Sequence, residues 1–183
     1  MLEVSIFNGD ITHLTIDVIV NAANSHLVGG GGVDGAIHRA AGPELLQACR
    51  KLNGCATGEA KITPAFRLPC RYIIHTVGPI WQGGRQHEAE LLSRCYYNSL
   101  QLAEHYQLKS IAFSAISCGV YGYPLEKAVR VALEAIDSYF LKQQGSIIER
   151  VVLVAFNNHV EAAYLRAYAK LNSNLQLTPY RPL

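Results

Sequence analysis

Four consecutive glycines, Gly29–Gly32, place the strongest constraint on this chain. Each glycine loses more backbone freedom on folding than any other residue, so a plain connector has no need of four. The surrounding segment, Asn21–Gly35, offers little that builds a core and is expected to be a loop. Without Cβ atoms in the way, its backbone N–H groups can come close to a ligand. The loop leaves the short β-branched run Asp17–Val20, which reads as a buried strand. It enters a helical stretch, Ala36–Ala41, whose N-terminus favours an anion.

Two common phosphate motifs are excluded. Gly30, Gly32 and Gly35 match G-x-G-x-x-G, but dinucleotide-binding glycines follow their strand directly, and here Gly30 stands ten positions after Val20. No acidic residue stands about 20 positions further on; the nearest, Glu59, lies in another glycine-containing turn. The pattern G-x-x-x-x-G-K-[ST] does not occur.

Elsewhere strands and helices alternate. Leu2–Asn8, Ala60–Phe66, Arg71–Val77, Ser110–Ile116 and Arg150–Phe156 carry strand patterns. Pro43 suits the first turn of a helix over Glu44–Leu52. Glu88–Tyr106 is amphipathic, with Leu92, Cys95, Tyr96 and Ser99 on one face. Pro124 opens a helix that turns Leu125, Ala128, Val129 and Ala132 inward, and Val160, Ala163, Tyr164 and Ala167 stripe a last one. Residues 173–183, with Pro179 and Pro182, are expected to form a loosely held tail. The pattern predicts one α/β domain over residues 1–183, a sheet covered by helices on both faces.

Ligands of such folds bind beyond the carboxyl ends of the strands. Two loops leave such ends, Asn21–Gly35 and Ser117–Tyr123. In the second, Ser117 offers a hydroxyl, Gly119 a bare backbone, and the helix begun by Pro124 a partial positive charge. Together the loops suggest one diphosphate held between them. Asn21 and Asn24 alone read as turn formers, and Asp34 alone as a helix N-cap. As a group they flank the glycines with donors and acceptors suited to sugar hydroxyls.

Composition narrows the class. Of 183 residues, 50% are hydrophobic and 16% charged, which suits one sizeable core and argues against disorder. No apolar run reaches the ~18 residues of a membrane span. The opening MLEVSIFNGD lacks the basic region of a signal peptide, so a cytoplasmic location is expected. A net charge of +2, with no run of five Lys or Arg, argues against a nucleic-acid partner. The five cysteines are odd in number and show no C-x-x-C pair, so they are expected to be reduced and buried, not a disulfide framework or a metal knuckle.

Several longer motifs resemble one family. They are Gly9-Asp10-Ile11-Thr12, Val18–Asn24, Gly29–Gly32 followed by Val33–His38, Ala41-Gly42-Pro43, His75–Pro79 and Ala115–Pro124. Together, over roughly residues 3–170, they resemble the macrodomains, and most closely the MacroD-like branch of bacterial O-acetyl-ADP-ribose deacetylases. The resemblance implies a three-layer α/β/α fold with a mixed, mostly parallel sheet of about six strands, and ADP-ribose in a cleft across its top. Carried onto this chain, Asp10 would accept from the adenine amino group beside the Ile11 backbone, and Phe156 would pack near the adenosine. Gly31, Gly32 and Val33, with Ser117, Cys118, Gly119, Val120 and Tyr121, would wrap the diphosphate. Asn21, Asn24 and Asp34 would surround the distal ribose as the catalytic group.

The reaction implied is hydrolysis of an acyl ester on that ribose, with no metal or cofactor. Its substrates would be O-acetyl-ADP-ribose and proteins carrying mono-ADP-ribose on acidic side chains. Asp34 would orient or deprotonate the water, and Tyr121 would shape the water pocket. A carboxylate at a helix N-terminus is expected to have a lowered pKa, which leaves a substrate phosphate as the alternative base. A covalent Cys118–His38 pair is set aside, because His38 is expected to face Ala-rich packing. Two other readings stay open: a module that reads ADP-ribose without chemistry, and a binder of RNA ends.

Overall fold

The computed structural model describes residues 1–182. Six strands form one mixed sheet: β1 (Glu3–Asn8), β2 (Val18–Ala22), β3 (Ala60–Pro64), β4 (Tyr72–Thr76), β5 (Ser110–Phe113) and β6 (Arg150–Ala155). Their order is β1-β6-β5-β2-β4-β3. Every pairing is parallel except β3 with β4. The five parallel strands therefore deliver their carboxyl ends to the same edge of the sheet.

Alternating side chains feed two layers. Val18, Val20, Ile74, Ile111, Phe113, Val151 and Leu153 pack under α3 (Glu88–His105), α4 (Leu125–Lys142) and α5 (Asn158–Lys170). Ile19, Ile73, Ala112, Val152 and Val154 pack under α1 (Gly32–Ala41) and α2 (Glu44–Arg50). The expected three-layer α/β/α arrangement is what the chain forms. Among the described residues no helix is long and apolar enough to cross a membrane.

Three boundaries differ from the sequence pattern in ways that matter for the site. Helix α1 begins at Gly32 and not at Ala36, so the end of the glycine run is its first turn. Strand β5 stops at Phe113, where the Ser114 hydroxyl donates to the Val20 carbonyl at 2.7 Å and the chain turns out of the sheet. The tail, expected to be loose, lies along β1. Leu177 bridges to Val4, the Thr178 N–H donates to the Val4 carbonyl at 2.8 Å, and the Tyr180 ring packs 4.7 Å from Phe7. An open sheet edge offers unpaired backbone groups, which explains why a proline-containing segment with few helical signals settles there. Leu183, the end of that tail, lies outside the described residues.

Candidate active site

The loops after β1, β6, β5, β2 and β4 enclose a cavity of about 810 Å³ along the carboxyl edge of the sheet. That is the size of a site for a whole small ligand. Asp10 and Ile11 line one end, with Phe156 beside them. Asn24, Asp34 and the backbone of Gly30–Val33 line another part, and Ser117, Gly119, Val120 and Tyr121 form the wall after β5.

Asp10 follows β1 and caps a single 3-10 turn, Ile11–His13. Its Oδ1 accepts from the Thr12 N–H at 2.9 Å and from the Thr12 hydroxyl at 2.7 Å. The Thr12 hydroxyl is the main reason its carboxyl is held below the usual range. The turn role and a ligand role are compatible, since among the described residues Oδ2 has no ion pair except the exposed His13, at 3.6 Å.

Two stretches of backbone present N–H groups. Gly31 is the N-cap of α1 and no side chain of the described residues caps that helix, so its first N–H groups keep their donor capacity. Beyond β5, Ser117 adopts φ +65°, in the left-handed region. Its hydroxyl donates to the Pro79 carbonyl at 2.8 Å, behind the cavity wall. A Cβ on Gly78 would stand 2.1 Å from the Ser117 Oγ, so only glycine allows this approach. The Trp81 N–H donates to the Tyr121 carbonyl at 2.8 Å and braces the loop from the same side.

Asp34 is the third residue of α1, not its cap, and only 6% of it is exposed. Its Oδ1 accepts from Asn21 Nδ2 at 2.8 Å, and His38 Nε2 lies 3.5 Å from the same oxygen, one turn along the helix. Burial pushes the Asp34 carboxyl above the usual range, against the opposing pull of the Asn21 hydrogen bond and His38. A carboxylate governed by the helix N-terminus would shift the other way. Loss of water around a buried carboxylate outweighs the helix dipole here. Behind Asn21 stands His75, its register partner on β4. Asn21 Nδ2 lies 3.2 Å from His75 Nδ1, and His75 Nε2 lies 3.0 Å from Thr63 Oγ1. Burial drives the His75 pKa down to about 3, so the ring is neutral.

The Macro domain profile matches residues 20–132. The chain belongs to the macrodomain family. It is 55% identical over 160 residues to the macro domain-containing protein CT2219 of Chlorobaculum tepidum, covering 87% of this chain and 92% of that one. It is 49% identical over 168 residues to the O-acetyl-ADP-ribose deacetylase of Salmonella typhimurium, covering 90% and 93%. The Oceanobacillus iheyensis macrodomain with ADP superposes with a TM-score of 0.85 at 46% identity, over 90% of this chain and 88% of that one. The Trypanosoma brucei macrodomain in complex with ADP-ribose does so with 0.85 at 41% identity, over 91% and 69%.

Within this macrodomain, most of the residues singled out from sequence converge on the cavity, and two do not. Asn21 is 0% exposed and stands behind Asp34, because its strand position turns it into the helix layer. It supports the carboxylate and has no open face toward a sugar. Cys118 packs against the core cluster under the α3–α5 layer, near Tyr96 and Tyr164, donating to the Ile116 carbonyl at 3.5 Å, and burial pushes its thiol up to about 12. Asn24 lines the cavity but also closes its own loop, donating to the Gly29 carbonyl at 2.8 Å and accepting from Val28 N–H at 3.2 Å. The hydroxyl of Ser117 serves the loop, leaving its backbone on the wall. Neither Pro124 nor the first turn of α4 reaches the cavity, since Gly122 at φ +70° turns the chain away. Phe156 is 62% exposed on the rim, not a core residue.

His38, expected to face Ala-rich packing, instead stands beside Asp34, and His75, named only within a motif, backs Asn21. The i, i+4 spacing of Asp34 and His38 on one helix was the available signal for the first. Nothing local reveals the role of His75, because its partners come from β2 and β3.

Proposed function

We propose that this macrodomain binds ADP-ribose and hydrolyses acyl esters on its distal ribose. The single observation that carries the reading is Asp34. It is a carboxylate whose proton affinity is raised by burial, held on the wall of a ligand-sized cavity beside two stretches of free backbone N–H. Its counterpart, Asp10, follows β1, and the ends of β1 and β2 are three strand spacings apart, roughly 14 Å. That span suits an extended ligand with adenine at Asp10, ribose at Asp34 and the diphosphate against the loops between them.

Asp34 takes the proton of a water as the oxygen of that water attacks the acyl carbon. The tetrahedral adduct expels the ribose oxygen, which receives that proton, and the products are a free carboxylic acid and ADP-ribose with its hydroxyl restored. A base works best when its pKa approaches the working pH, so the raised Asp34 pKa favours the carboxylate over a substrate phosphate as the base. Asn24, with one amide hydrogen uncommitted, is placed to fix the ribose. The similarity to the O-acetyl-ADP-ribose deacetylase of Salmonella typhimurium, at 49% identity, supports the reading as a deacetylase. The substrates proposed are O-acetyl-ADP-ribose and proteins ADP-ribosylated on glutamate or aspartate.

The test is to incubate the protein with O-acetyl-ADP-ribose and with a glutamate-ADP-ribosylated protein and to follow released acetate and ADP-ribose. Turnover of both is expected. Tight ADP-ribose binding with neither product formed would make the domain a reader and not a hydrolase.

A further inference from the structure

Asn21 reaches no solvent, yet its amide nitrogen decides where the Asp34 carboxylate points. The orientation of that amide has to come from somewhere. Its oxygen, Oδ1, is buried and has no hydrogen-bond partner among the described residues, so the oxygen exerts no hold on it. Both contacts lie on the nitrogen: Asp34 Oδ1 at 2.8 Å and His75 Nδ1 at 3.2 Å.

An amide nitrogen carries two hydrogens and no acceptor capacity. The bond to the Asp34 carboxylate uses one hydrogen. The other points to His75 Nδ1, which must then be the ring's lone-pair nitrogen. The ring proton therefore sits on Nε2, which donates to Thr63 Oγ1 at 3.0 Å. Thr63 lies on β3, two residues from the register partner of His75 and on the same face. The opposite tautomer would present an N–H to Asn21. It would draw the amide oxygen inward and turn the NH₂ group away from Asp34.

We propose that His75 is a positioning residue of this macrodomain: as a neutral imidazole with its proton on Nε2, it holds the Asn21 amide so that its nitrogen faces Asp34. It touches no substrate. It acts through Asn21 on the carboxylate, and Thr63 Oγ1 accepts the proton that the ring carries on Nε2. The inference rests on the hydrolase reading above for its effect on turnover, though the orientation itself does not depend on that reading. The groups facing this chain of contacts are His38 and Cys49 near Asp34, and Cys49 and Cys55 near His75. Cys49 and Cys55 are thiols held up to about 11 by burial, so they bring no charge at neutral pH.

Two measurements test it. In the wild-type protein, long-range ¹H–¹⁵N spectra of the imidazoles should show His75 as the Nε2–H tautomer, unprotonated down to about pH 4. An Nδ1–H tautomer, or a ring that titrates near its ordinary value, overturns the proposal. In the second, His75→Phe keeps a planar aromatic ring, slightly larger, but removes the acceptor, and His75→Asn restores an oxygen near the Nδ1 position. His75→Phe is expected to lower kcat by about 10- to 100-fold, the scale of a misplaced reacting group. KM and ADP-ribose affinity should stay within about twofold, since uniform binding is untouched. His75→Asn should recover much of the loss. Equal turnover in wild type and His75→Phe overturns the proposal, as does an equal loss in both variants. If wild type itself turns over neither substrate, the hydrolase reading fails, and the imidazole spectra alone decide whether His75 orients Asn21. The same spectra decide the matter if His75→Phe does not fold.

Discussion

Asp34 and His38 stand one turn apart on α1, with Nε2 of the histidine 3.5 Å from Oδ1 of the carboxylate. His38 opposes the upward push of burial on Asp34, and so does the Asn21 hydrogen bond. Turnover requires Asp34 ionised, so the acid limb of kcat/KM for O-acetyl-ADP-ribose should lie above the ordinary carboxylate range. Removing His38 removes one of the two downward pulls. His38→Gln is therefore expected to move that limb to higher pH. A limb that moves to lower pH would show that His38 does not act on the charge of Asp34.

Asp34→Asn separates function from stability. Turnover should fall by about 10²- to 10⁴-fold, the usual value of a positioned acid or base. Stability should move the other way. The folded pKa of Asp34 is raised, so its ionised form disfavours folding at neutral pH, and this penalty disappears as pH falls through the folded pKa toward the unfolded one. The variant should melt higher than wild type near pH 7, with the gap closing below about pH 4, the range of an unfolded carboxylate. Parallel melting curves at both pH values would contradict the assigned direction.

Asp10→Ala should weaken ADP-ribose binding while leaving kcat at saturation nearly intact. The residue sits at the far end of the cavity from Asp34 and contributes uniform binding. Titration calorimetry and steady-state kinetics check the two halves. Some affinity is lost through the 3-10 turn that Asp10 caps, so Asp10→Asn, which keeps an acceptor for Thr12, should bind better than Asp10→Ala.

Gly78→Ala should damage the loop after β5 more than any truncation within it. The added methyl would meet Ser117 Oγ at 2.1 Å and Ile116 Cγ2 at 2.7 Å, so the loop backbone must move. Ser117→Ala only removes the hydroxyl bond to Pro79, a loss of about 1 kcal/mol. ADP-ribose affinity should therefore fall well below wild type in Gly78→Ala and only slightly in Ser117→Ala. The opposite ranking would place the Ser117 hydroxyl on the ligand.

Cys118→Ser should retain both ADP-ribose affinity and turnover, because the residue packs against the core cluster and its thiol is pushed up to about 12. Wild-type Cys118 should also alkylate slowly at pH 8 in the folded state, followed by mass spectrometry. An inactive, folded, ligand-binding Cys118→Ser would return the thiol to the reaction.

The architecture and the loops of this macrodomain were legible because local signals carry them. β-branched runs bounded by turn residues, amphipathic helical stripes and four adjacent glycines need no partner to be read. The helix start at Gly32 was missed because glycine is a poor helix former, and only the tertiary setting overrides that preference. The roles of Asn21, His75 and Thr63 were out of reach for a different reason. They depend on the register of β2 against β4 and of β4 against β3, which brings residues 21, 63 and 75 onto one face. The sign of the Asp34 shift failed likewise: a helix terminus can be inferred from a sequence, but the depth at which a side chain is buried there cannot.

The return of the chain along β1 bears on how this molecule behaves in company. The sheet has two outer strands, β1 and β3. Strand β3 is short, carries Lys61 and ends in Pro64, features that discourage a neighbour from adding a strand. Strand β1, EVSIFN, has none of these and would be an inviting template for intermolecular pairing. The contact of Thr178 with Val4, and Tyr180 lodged between Phe7 and the Arg150 guanidinium 5.0 Å away, occupy that strand from within. A chain ending before residue 175 would keep every residue of the cavity and yet expose a self-complementary border, so its shortening would be felt first as aggregation at high concentration and only later as lost activity.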